Sequence, residues 1–144
     1  MVKDGVRAAA IDLGTVRVGL AVADELGVLA HPRPFLDGRS PNKLLTLLHR
    51  LADSESIDVF VVGLPRTLGG REGGPARRAR AFAERLRERT GRRVELVDEW
   101  LTTKEAHARL KAGGTSEREA RHKIDSASAA VLLQSWLDGQ RGQE

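Results

Sequence analysis

Apolar and polar positions change their spacing several times along the 144 residues, and each change marks an element. Residues 6–13 are apolar except for Arg7 and Asp12, and Val16, Val18, Leu20 and Val22 then alternate with a period of two. That pattern predicts two strands, 6–13 and 17–24, joined by "GTVR". "LGVLAHPRPFL" continues as a third, antiparallel strand, and Pro32 and Pro34 suit an edge position, where no ladder donor is missed. Ser40-Pro41 supplies an N-cap and a first-turn proline for a helix whose apolar face is Leu44, Leu45, Leu47, Leu48 and Leu51. "IDVFVVGL" (57–64) is almost unbroken and reads as a central strand covered on both faces. A glycine-rich loop, "PRTLGGREGG", leads to a helix at about 75–90 with Ala79, Phe82, Ala83 and Leu86 inward. "RVELVD" (93–98) makes a fifth strand. Capping-box patterns open a short helix at Thr102–Glu105 and a helix or charged loop at Ser116–Glu119. A last helix carries "IDSASAAVLLQSWL", with Ile124, Ala127, Val131 and Trp136 expected in the core. Three meandering strands followed by crossovers imply an α/β domain over 1–144, with one mixed five-stranded sheet flanked by helices.

Composition narrows the chemistry. The absence of cysteine excludes disulfides, thiolate nucleophiles and cysteine-bound zinc. No secretory h-region and no membrane-length apolar run is present, so a cytoplasmic location with no membrane partner is expected. Net charge is only +4, but residues 66–93 hold ten arginines against three acids. That segment carries +7 and the rest −3. Such a stripe suits a polyanion, or simply a solvated helix face in an arginine-rich chain.

The acids are placed more tellingly. Asp12 closes the first strand, Asp98-Glu99 close the fifth, and Asp125 stands at the start of the last helix. Ligands gather beyond the carboxyl ends of parallel strands. Asp12 alone could accept hydrogen bonds from the turn that follows. Carboxylates crowded together remain ionised when a divalent cation lies between them, and hard oxygen donors select Mg²⁺ or Mn²⁺. Such ions suit phosphodiester hydrolysis, where they activate water and steady the leaving oxygen. Alternation puts Asp98 and Glu99 on opposite faces, so only one can point into such a site. The four histidines are scattered without a metal-binding or triad spacing and read as structural or surface residues; His122, three residues before Asp125, is the one candidate for proton transfer.

"AIDLGTVRVGLAVAD", "VVGLP", the glycine-rich loop before "ARAFAERL", "VDEWLTT" and "IDSASAAVLLQSWL" occur in that order and span about 6–138. Together they resemble the YqgF/RuvX family, bacterial relatives of the RuvC Holliday junction resolvase. The resemblance implies an RNase H-like fold with strand one central beside strand four. It implies a metal-dependent nuclease that processes the 5′ end of pre-16S rRNA, or else a Holliday junction resolvase acting on branched DNA. It maps the catalytic, metal-binding acids to Asp12, Glu99 and Asp125, with Asp98 the less favoured member of its pair. Arg17, Arg66, Arg71, Arg77, Arg78 and Lys123 would hold nucleic acid. Trp100 stands where the family pattern has arginine, so it either stacks on a base or packs. The loop "RTLGG" lacks the family's asparagine.

Two readings compete. "IDLGT" also resembles the first phosphate loop of actin-like ATPases, but those need two such domains and this chain supplies one. A non-catalytic nucleic-acid binder would need only the arginines, yet three acids would repel phosphate unless metallated. The spacing is compatible with a monomer or a homodimer; a resolvase cutting symmetrically requires the dimer.

Overall fold

The computed structural model describes residues 6–67, 69, 72–101 and 126–142. Its elements run β1 (Ala8–Asp12), β2 (Arg17–Ala23), β3 (Ala30–Asp37), α1 (Pro41–Ser54), β4 (Val59–Thr67), α2 (Gly74–Thr90), β5 (Arg93–Leu101) and α3 (Ala127–Arg141). The five strands form one sheet in the order β3-β2-β1-β4-β5. β1 pairs antiparallel with β2 and parallel with β4, and β4 pairs parallel with β5. β1 is therefore central beside β4, and the proline-bearing β3 is an edge, as the pattern predicts. This is an RNase H-like α/β fold.

Strand alternation divides the core into two layers. Ile11, Val18, Leu20, Phe60, Val62 and Leu64 pack under α1 and α2 through Leu44, Leu45, Leu48, Phe82 and Leu86. Ala8, Ala10, Ala21, Val59 and Val61 pack under α3 through Ala129, Leu132, Leu133 and Leu137. The alanines of β1 and β2 are small because α3 lies close over the sheet centre.

Several expectations change. β5 continues to Leu101 rather than ending at 98, and β4 runs through Pro65 to Thr67 into the expected loop. Their mutual register, Gly63↔Val97 to Thr67↔Leu101, satisfies these extra residues. β1 has ended by then, so Pro65 breaks no ladder on that side. Leu47 is exposed, because the buried stripe of α1 is Leu44, Leu45, Leu48 and Ala52. Val131 and Ala127 are exposed, because α3 buries 129, 132, 133 and 137 at helical spacing. Ser40 sits at the N-cap of α1 with extended backbone, but its hydroxyl makes no cap bond. The elements expected at 102–105 and 116–119, and Ile124, lie outside the described residues.

A charged cluster ties β3 to the end of α1. Arg33 makes a two-armed contact with Glu55 at 2.7 and 3.0 Å, and Arg7 lies 3.6 Å from the same carboxylate. The Arg33 hydrogen bond, more than burial opposes, holds the Glu55 carboxyl below its ordinary range. A lowered folded value means stability that is complete above the ordinary value and lost as pH falls through the folded one. Glu55→Gln is expected to cost about 1–2 kcal/mol at neutral pH. Urea unfolding at pH 7 and at pH 3 checks this, since the difference between wild type and variant should shrink at pH 3.

Candidate active site

β1 ends at Asp12 because the turn after it is sterically tight. A Cβ on Gly14 would stand 2.2 Å from the Arg17 carbonyl oxygen, so only glycine fits there. Asp12 pairs with Gly19 across β1 and β2, and both lie on the face that α3 covers. A Cβ on Gly19 would come 3.3 Å from the Asp12 Cβ and 3.4 Å from the Cβ atoms of Ser126 and Ala129. The missing side chain lets the start of α3 descend onto the sheet beside Asp12. Ser126 is buried, and its hydroxyl donates to the Arg33 carbonyl at 2.7 Å. Further along α3, Gln134 accepts from the Ala30 N–H at 3.0 Å and Trp136 donates to Glu95 at 3.1 Å. These bonds fix the helix across the sheet.

Glu99 reaches the same face from β5. Its register partner is Pro65, but its carboxylate leans back over Gly63. A Cβ on Gly63 would lie 3.0 Å from Glu99 Oε2 and 3.2 Å from Leu132 Cδ2. Gly63 follows Val62, the partner of Ile11, just as Asp12 follows Ile11. Gly63 therefore clears the ground between the two acids, and Leu132 roofs it. Arg17, at the start of β2, shares this end of the sheet, and alternation puts it on the same face as Gly19.

Asp98 points the other way. Its carboxylate meets Arg66 Nε at 2.7 Å, an ion pair in which the N–H is not aimed along the bond. Arg66 also contacts Glu72 at 3.2 Å and lies 6.0 Å from the ring of Trp100, which is 55% exposed. Arg80 bonds Glu72 at 2.6 Å and, with help from Arg66, holds that carboxyl below the usual range. Arg66 is thus enclosed by acids and backs the indole, while Arg77 and Arg78 are exposed on α2. All of these stand on the face opposite Asp12 and Glu99. Arg71, Lys123 and Asp125 lie outside the described residues, and Asp125 is the residue before Ser126.

Among the described residues no three acids or histidines converge. Asp12 and Glu99 nevertheless offer hard oxygen donors from one face, the set that suits Mg²⁺ or Mn²⁺. Sequence reasoning missed Gly19 and Gly63. Each stands inside an otherwise apolar strand, which signals a close approach.

The family model described as RuvX, Holliday junction resolvase, matches residues 6–139. The chain belongs to the RuvX family. A relative from Anaeromyxobacter sp. (strain Fw109-5), described as a candidate pre-16S rRNA nuclease, is 45% identical over 90% of this chain and 95% of its own. Another from Geobacillus kaustophilus (strain HTA426), described in the same words, is 38% identical over 94% and 99%. The structure of T. thermophilus RuvC in complex with Holliday junction substrate superposes with a TM-score of 0.56 at 16% identity, covering 95% of this chain and 96% of RuvC. The RuvX chain and RuvC therefore share the RNase H-like fold. Among the described residues, no helix of this RuvX protein is long and apolar enough to cross a membrane.

Proposed function

We propose that this protein is a metal-dependent nuclease that processes the 5′ end of pre-16S rRNA in the cytoplasm. The carrying observation is Gly63: a side chain there would occupy the space into which Glu99 leans beside Asp12. The relatives of matching length that are described as pre-16S rRNA nucleases support the substrate.

Asp12 and Glu99, with Asp125, would hold Mg²⁺ or Mn²⁺, which supplies charge neutralisation at the phosphate and lowers the pKa of water. Asp12 and Glu99 would set where that cation sits and so where the scissile phosphate is held. Leu132, itself buried, covers Gly63 from the α3 side. Arg17, on the same face and end, is the described cation placed to meet a phosphate oxygen. Trp100 and Arg66 lie across the sheet and do not touch the reacting atoms. Their exposed ring is a platform for an unpaired base beyond the cut.

The description of the family model favours a second reading, a resolvase of four-way DNA junctions. One assay separates them. End-labelled RNA bearing the 5′ leader of 16S rRNA, and a four-way junction, are incubated with Mg²⁺, Mn²⁺ or EDTA. The expected result is RNA cleavage in either metal and none in EDTA. Faster cutting of the junction would establish the resolvase. Binding without cutting in every metal would make the protein a non-catalytic binder.

A further inference from the structure

The arginines of 66–93 fall into two groups once their partners are seen. Arg66 and Arg80 are bound to Glu72, Arg87 to Glu84, Arg92 to Asp53 and Arg93 to Glu95. Arg85 and Arg89 differ. Arg85 Nη2 donates to Asn42 Oδ1 at 2.8 Å, and Arg89 Nη2 donates to Thr46 Oγ1 at 2.6 Å. Both acceptors are neutral and belong to α1. The guanidiniums are held across the helix pair with their charge intact.

Lys43 and Arg50 join them on α1. With Asn42, Thr46 and Leu47 they line a shallow groove of about 380 Å³. Arg78 precedes Arg85 by seven residues, which puts it on the same side of α2. Among the described residues none of these five cations forms a close ion pair with an acid, although Lys43 acts at longer range on Asp37, and nearby acids are occupied. Asp37 is taken by Arg39, and Asp53 by Arg92 and His49. Glu88 is the one acid of α2 left to temper the row. Arg78 and Arg89, eleven positions apart, are separated by about 16 Å of helix, which suits an extended polyanion more than a single phosphate.

Topology connects this surface to the site. β3 and β4 both run parallel to β1, so α1 and α2 begin at the end of the sheet where β1 delivers Asp12. We infer that the outer face of α1 and α2 is a second contact surface for the sugar-phosphate backbone of the RNA, engaging it outside the cleavage site. This rests on the nucleic-acid reading above and adds a surface on the opposite face of the sheet.

The test measures binding in EDTA, by fluorescence anisotropy, for single-stranded RNAs of about 8 and about 30 nucleotides. Arg85→Gln/Arg89→Gln is expected to weaken the long RNA roughly tenfold and to lower its salt slope by about 1.4, the loss of two phosphate contacts. The short RNA, filled by the site alone, should bind as to wild type. Lys43→Gln/Arg50→Gln, on the other helix, should repeat the pattern. Unchanged long-RNA binding, or equal loss at both lengths, in the two variants overturns the inference. Failure of the nuclease reading would show instead as no cleavage in metal with these binding results intact.

Discussion

Asp12→Asn is expected to reduce RNA cleavage by about a thousandfold, close to 4 kcal/mol of transition-state stabilisation. Asparagine has the same shape, so the packing of Gly19, Ser126 and Ala129 around position 12 is retained. What is lost is the charge that, with Glu99, would hold a divalent cation. RNA binding in EDTA should equal or exceed wild type, because a carboxylate near phosphate repels it. Single-turnover cleavage and anisotropy on the same preparation read both quantities. Full cleavage by this variant would end the metal assignment.

Glu99→Gln is expected to lose at least about a hundredfold in cleavage, whereas its neighbour Asp98→Asn should stay within about threefold. The contrast follows from the face each occupies. Glu99 Oε2 hangs over Gly63 on the Asp12 side, while Asp98 is paired with Arg66 on the other. That pair is partly exposed, so its removal perturbs little. Cleavage rates of the two variants in Mg²⁺ decide the matter, and the reverse order would move the site to the α2 face.

Much of the fold could be read directly. The period-two alternation of β2 marks a strand, the unbroken run of β4 marks one covered on both faces, and the prolines of β3 mark an edge. β2 is buried on both faces too, with large residues toward α1 and α2 and small ones toward α3, so its alternation records side-chain size rather than exposure. Helix faces were less legible. Val131 and Leu47 look like core from composition, but a helix in a layered domain buries only the stripe that meets the sheet. The end of β5 was missed because the acid pair Asp98-Glu99 reads as a strand end, whereas Glu99, Trp100 and Leu101 continue the strand by pairing with Pro65, Arg66 and Thr67 of β4.

The candidate site divides in the same way. Sequence alone determined which acids stand at strand ends, that Asp98 and Glu99 must diverge, and that residues 66–93 are strongly basic. These are local properties: a strand has a parity, and charge is additive along a chain. Only tertiary structure decided which parity faces α3, since that depends on where a helix thirty residues later comes to rest. It also decided which arginines have their charge compensated by an acid. Arg92 meets Asp53 across 39 residues, whereas Arg85 meets neutral Asn42 across 43. A guanidinium's partner is set by packing between elements distant in sequence, so the structure alone separates the arginines that brace the fold from those left to meet a polyanion.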